Sequence, residues 1–350
     1  MTGEELSKQV KSGEFFSDED FSGMDCKNVD LSGGIFLKVT FDDCDFSGAN
    51  LKEATFNDCS LKNSKFLETE MKEANLVKSD LTGAAFRDTG MNFTKFIESD
   101  LTDADFSGAN LETGVFSDSK LPGAGFVGAT LETTVFNGCD LKGVDFSDSQ
   151  MNKAVFFESE FDNNVFKGAM IELSCFYKAV MEKVDFSHMD LTQCQFIECS
   201  LKGCDFTGTQ LKQGGFMQAN LENSIFDDAY LEMANFYEAK LLGSSLKNAN
   251  LEKASLQKAT LTGADFSSAN LEMAQLAEVA AQQSKFIGAN LTYADLSHAV
   301  IQEADFSSAQ LFMADLHEAY EEKTTWSGST KKHAKKTNKK RLKAEQWGKI

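Results

Sequence analysis

Large apolar residues return at every fifth position along most of this chain, and a small residue precedes each of them by two places. In LTGADFSSANLEMAQ, residues 261–275, the pairs are Ala264/Phe266, Ala269/Leu271 and, just beyond, Ala274/Leu276. An amphipathic helix repeats near 3.6 residues and a half-buried strand repeats at 2. A period of five is neither. From Phe16 to Leu316, 59 of the 61 fifth positions are Phe, Leu, Met or Ile, with Cys26 and Ala281 as the exceptions. Two places before each, 56 of the 61 are Ala, Ser, Thr, Cys, Gly or Val, so the phase leaves no room for an inserted loop.

Longer periods lie over the first. Leu and Phe alternate at the central positions over much of the chain. After residue 246, Phe occupies 266, 286 and 306 while Leu occupies 256, 276, 296 and 316. Recurrence every twenty residues is what stacked coils of four pentapeptides produce. The central residue and the small one before it then face inward, and the other three face water. Outward corner positions on two faces are rich in Gly, Asn and Asp, as at Gly83, Asp103, Gly123, Asn163 and Gly108. Those residues tolerate the positive φ of a tight corner. The other two faces carry Glu73, Glu98, Glu158 and Lys178 there, which predicts a different turn. At Ala281 a large side chain is missing, which predicts a locally loosened wall.

The repeat resembles that of the pentapeptide-repeat family, A-[D/N]-[L/F]-x-x, seen here as ADF at 104–106, ANL at 109–111 and 219–221, and ADL at 294–296. The resemblance covers roughly residues 16–320. It implies an all-β fold, a right-handed parallel quadrilateral β-helix, here of about 15 coils. Three regions are expected: an N-terminal cap at 1–15, the β-helix at 16–320, and a flexible basic C-terminal tail at 321–350 with a short helix around 340–347. Leu6, Val10 and Phe15 are expected to cover the first coil, and Phe312, Met313, Tyr320 and Trp326 the last. A solenoid needs such end covers because each coil is stabilised by its neighbours.

Charge divides the chain unevenly. The whole sequence carries 34 basic and 54 acidic residues, a formal −20. Residues 321–350 hold ten basic and three acidic residues, leaving 24 against 51, a net −27, in residues 1–320. A body this acidic argues against direct nucleic-acid binding, since phosphate contacts need Lys and Arg. No run of about 18 apolar residues is present, and the N-terminus lacks a signal-peptide pattern. The expectation is a cytoplasmic protein with free thiols and no membrane span.

Catalytic motifs are missing. Six of the eight cysteines (44, 59, 139, 194, 199 and 204) occupy the small inward position, and no CxxC occurs. The four histidines are scattered and form no ligand motif. No glycine-rich phosphate loop precedes a helix. The reading is a non-enzymatic protein with no catalytic residues, no cofactor and no metal.

Residues that break the outward polar pattern carry more information. Phe157, Tyr177, Ile197, Met217 and Tyr237 recur at twenty-residue intervals one place past a centre. Val115, Val135, Val155 and Cys175 do so one place before. Contiguous apolar surface marks contact sites, so these residues form the candidate protein-binding strip. A second column, Met233, Met273, Tyr293 and Met313 with Phe312, reads as C-terminal capping. Lys335, Lys336, Lys339, Lys340, Arg341 and Trp347 are candidate contacts in the tail.

The leading functional reading is a scaffold or adaptor that binds a protein through its outer face, with homodimerisation as one outcome. The family resemblance implies two alternatives. Some pentapeptide-repeat proteins mimic DNA and occupy DNA gyrase. Others serve bacterial secretion as accessory proteins or effectors.

Overall fold

The computed structural model describes residues 1–347; the last three residues of the expected tail region lie outside it. The chain forms two compact units, Met1–Val180 and Met181–Ile350. Both are built from the same turn.

The first unit opens with helix α1 (Gly3–Lys11), started by a capping box in which Thr2 and Glu5 each accept from the other's backbone N–H. Such boxes satisfy amide donors that a helix start otherwise leaves open. Leu6 is fully buried and Val10 nearly so, as an end cover requires. Phe15 is not part of that cover: it is 68% exposed, correcting the expectation.

Ten short strands follow: β1 (Phe16–Ser17), β2 (Ile35–Leu37), β3 (Thr55–Asn57), β4 (Asn75–Val77), β5 (Lys95–Ile97), β6 (Val115–Ser117), β7 (Val135–Asn137), β8 (Val155–Phe157), β9 (Glu160–Phe161) and β10 (Cys175–Tyr177). Pairing is parallel with a twenty-residue offset, as in Phe96↔Phe116 and Phe116↔Phe136. Strand pairing marks about nine turns of a parallel β-solenoid, not the 15 expected from counting pentapeptides. The difference arises because most faces return through a single bridged residue, such as Asp20↔Thr40 or Asp25↔Asp45, too short to make a strand.

The core consists of stacked phenylalanine columns. Phe116 lies parallel to Phe96 and Phe136 at 4.9 and 4.8 Å, and edge-on to Phe106 at 5.9 Å and 89°. Both arrangements suit the ring quadrupole, at roughly 0.5–1.5 kcal/mol per pair beyond burial.

The small inward residue does more than leave room. Its hydroxyl or thiol donates to a main-chain carbonyl, either of the preceding coil, as Ser64 Oγ to Phe41 at 2.7 Å, Thr94 Oγ1 to Met71 at 2.8 Å and Cys44 Sγ to Phe21 at 3.1 Å, or three residues back, as Ser224 Oγ to Leu221 at 2.7 Å. Cys therefore substitutes for Ser in this position. Burial pushes the Cys26 and Cys139 thiols up to about 12 and Cys44 up to about 11.

Corners on all four faces adopt the same left-handed conformation. Glu73, Glu98, Glu158 and Lys178 have φ of 62°, 50°, 48° and 53°. The Glu73 corner closes like the glycine corners, with Ala74 N–H donating to Met71 at 2.9 Å, whereas after Glu98 no such bond forms and Ser99 N–H donates to Ser119 Oγ at 3.1 Å, so a different turn occurs on one of the two faces where it was expected. The backbone must bend at every pentapeptide whatever side chain it carries. At Gly108, with φ of 68°, an added Cβ would also crowd Asp88 Oδ1.

The second unit repeats the design through bridges running from Asp185↔Asp205 to Asp315↔Lys335. The expected boundary after residue 320 falls inside that ladder. Its phenylalanine column at 266, 286 and 306 ends on Trp326, stacked on Phe306 at 4.6 Å. Phe312, Met313 and Tyr320 remain 50%, 37% and 51% exposed, so the expected end cover at these residues is not formed. Ala281 is fully buried and its N–H donates to Val300 at 2.8 Å; the ladder is intact where loosening was expected. Helix α2 (Lys339–Trp347) closes the described chain. No helix among the described residues is long and apolar enough to cross a membrane.

Candidate protein-binding surface

In the first unit, strand register brings six of the nine strip residues onto one face. Val115, Val135, Val155 and Cys175 align on successive strands one place before the buried phenylalanines, and Phe157 aligns with Tyr177 one place after. Their side chains share the outward face because alternate strand residues point to opposite sides. The rings of Phe157 and Tyr177 stack at 5.1 Å and 22°. Phe157 is 37% exposed, and the valines, Cys175 and Tyr177 are half-buried against one another. Burial pushes the Cys175 thiol up. The rim is charged: Lys178 lies over the Tyr177 ring at 5.1 Å and 3.8 Å from Glu158.

The remaining three strip residues, Ile197, Met217 and Tyr237, are half-buried in the second unit. Lys258 Nζ donates to Tyr237 Oη at 3.2 Å. Exposed Val165, Met170, Leu173 and Val180 also lie in the first unit and were missed. Their signal was present, since each is an apolar residue at an outward place.

At the chain's end the candidates separate. Lys335, Lys336, Lys339, Lys340 and Trp347 are exposed, Trp347 by 86%. Arg341 is engaged: its guanidinium reaches Glu345 Oε1 at 2.7 Å, Asp315 Oδ2 at 3.3 Å and Ser297 Oγ at 3.3 Å.

The same helix creates a cluster that sequence reading missed. Nε2 atoms of His298 and His317 lie 3.3 and 3.2 Å from one oxygen of Glu345. Three such donors are a plausible ligand set for a divalent cation by type and spacing. The hydrogen bonding assigns a different role. Asn338 N–H donates to Nδ1 of the fully buried His317 at 3.0 Å. In a neutral imidazole the other nitrogen then carries the proton. His317 Nε2 is thus a donor to Glu345, without a lone pair for a metal. Desolvation raises the Glu345 carboxyl, but bonds from His317, Arg341 and His298 outweigh it and hold the group down at about 2. The cluster is a clasp for α2.

Comparison with known proteins agrees with this architecture. Two pentapeptide family profiles match, one described as a pentapeptide repeat region over residues 34–96 and 170–256, the other as pentapeptide repeats (8 copies) over 99–138, 244–279 and 282–319. No curated protein sequence matches the chain. Among solved structures, a trypsin-treated variant of QnrB1, a plasmid-mediated fluoroquinolone resistance protein, is 19% identical, covering 60% of this chain and 92% of its own, with a TM-score of 0.33. HetL, involved in heterocyst differentiation regulation in the cyanobacterium Nostoc, is 19% identical, covering 88% and 96%, with a TM-score of 0.25. Rfr23 from the cyanobacterium Cyanothece is 19% identical, covering 42% and 87%, with a TM-score of 0.22. By its unbroken five-residue phase, its twenty-residue coil and the two profiles that match along it, this chain belongs to the pentapeptide-repeat family.

Proposed function

We propose that the protein is a non-enzymatic scaffold that binds a protein partner through the outer face of its β-solenoid. The observation that carries this reading is the Phe157–Tyr177 stack, set beside the Val115–Val135–Val155–Cys175 column on one outward face. Aromatic anchors ringed by charge are the usual energetic centres of interfaces. Regular strands hold them in place, so little ordering entropy opposes binding.

The test is affinity capture from native extract, comparing wild type with Phe157→Asp/Tyr177→Asp. Both positions face outward, so the variant is expected to fold. A partner retained by the wild type and lost by the variant supports the reading. Equal recovery by both overturns the strip as the binding face.

A second reading is mimicry of DNA toward DNA gyrase, favoured by the net −27 of residues 1–320. It predicts competition with DNA for gyrase that weakens with salt and survives the Phe157→Asp/Tyr177→Asp change.

A further inference from the structure

The second unit carries an apolar column at a place where the backbone gains nothing from it. Met233, Met273, Tyr293 and Met313 occupy one corner column, interrupted by Lys253 between the first two, with φ of 60°, 57°, 59° and 58°. They are 50%, 45%, 48% and 37% exposed. Side chains bearing a Cβ are disfavoured in the left-handed region, by roughly 1–2 kcal/mol per residue. Gly and Asn avoid much of that penalty, and charged side chains at least gain hydration. Met and Tyr here gain no such relief, and about half of the side chain stays exposed. Phe312 extends the patch, meeting Tyr293 edge-on at 5.8 Å.

Beside this column runs an acidic one, Glu232, Glu252 and Glu272, one residue earlier in each corner. An amide ladder orders it: Asn290 donates to Asn270 at 3.1 Å and Asn270 to Asn250 at 2.9 Å. Asn250 also donates to Glu232 Oε1 at 2.6 Å, and Asn290 to Glu272 Oε2 at 3.3 Å. Two carboxylates are thereby held at set positions along the apolar column.

We infer that this corner is a docking surface for a basic amphipathic helix of a partner protein. Charge decides the sign: Glu252 is already paired with Lys253 at 2.6 Å, and Glu232 and Glu272 leave the corner net acidic, which favours Lys and Arg beside the helix's apolar stripe. Spacing decides the conformation. Successive coils lie about 4.8 Å apart, close to the 5.4 Å pitch of an α-helix. One apolar residue per helical turn therefore stays nearly in step with Met273, Tyr293 and Met313. Same-side residues of an extended strand repeat at roughly 6.6–6.8 Å and fall out of step. The flexible thioethers of three methionines adapt to the residual mismatch. This surface is independent of the Phe157 strip.

The test is fluorescence anisotropy of the full chain with a labelled 18-residue Leu/Lys amphipathic helix, against a Leu/Glu peptide of the same pattern. The wild type is expected to bind the Leu/Lys peptide at least tenfold more tightly than the Leu/Glu one. Met273→Gly/Tyr293→Gly removes the apolar contact and relieves the corner, so binding should weaken tenfold or more while Tm stays level or rises. Tyr293→Asn is the second variant if the double change unfolds the protein. Glu232→Gln/Glu272→Gln should weaken binding and flatten its salt dependence. Absence of Leu/Lys binding, equal binding of both peptides, or undiminished binding by a folded corner variant overturns the inference.

Discussion

Asn338 donates its backbone N–H to Nδ1 of His317 at 3.0 Å, and this bond makes the opposite ring nitrogen a donor to Glu345. One hydrogen bond thus turns a potential ligand cluster into a clasp between α2 and the preceding coils.

The clasp has a defined pH behaviour. Glu345 is held at about 2, below its ordinary 4.5, by donors from His317, Arg341 and His298 that outweigh desolvation. A depressed carboxyl contributes stability above its unfolded pKa and loses it as pH falls through the folded one. Docking of α2 is therefore expected to weaken progressively between about pH 4.5 and 2. Hydrogen exchange of the α2 amides across that range checks the expectation. At neutral pH, Glu345→Gln should release α2 and accelerate tryptic cleavage after Lys340 and Arg341; an unchanged cleavage rate would refute the clasp.

Cysteine reactivity reports on the strip. Cys175 is the half-exposed member of the eight thiols, and the other seven are buried. Burial pushes its thiol above the ordinary 9.0, so labelling by iodoacetamide should accelerate with pH through a midpoint above that value. Mass spectrometry of the native protein should find Cys175 modified first and Cys44, Cys139 and Cys204 only after denaturation. A bound partner should protect Cys175.

Asn164 marks a weak point in the first unit's wall. Its Nδ2 donates to the carbonyls of Leu141 at 2.6 Å and Val144 at 3.2 Å, leaving buried Oδ1 without a partner. Ser64 makes the corresponding inward bond with no orphan acceptor. Asn164→Ser should therefore stabilise the protein by about 1 kcal/mol, read as a higher midpoint in urea. A lower midpoint would show that the amide's bulk, rather than its unpaired oxygen, governs the site.

Much of this was legible in the chain. Neighbours twenty residues apart follow from the period, because every coil has the same length and each residue meets its counterpart above and below. Asn164 was visible as one of five departures from the small inward set. Val115, Val135 and Phe157 stood out because apolar residues occupied outward places. Exposure was less legible. Phe15 and Phe312 read as end covers, yet both stay at the surface, since a cover depends on the direction a side chain leaves the last coil.

By itself, the sequence determined the family, the inward and outward positions and the twenty-residue register, because a strict repeat converts chain spacing directly into spatial neighbours. Only the tertiary structure decided that every corner is left-handed, since four bends per coil are imposed by closure of the turn and not by the residue at the bend. It also decided that His298, His317 and Glu345 converge. Glu345 sits on a helix whose spacing has left the repeat, so its position depends on where α2 packs, a matter of long-range contact that no local period encodes.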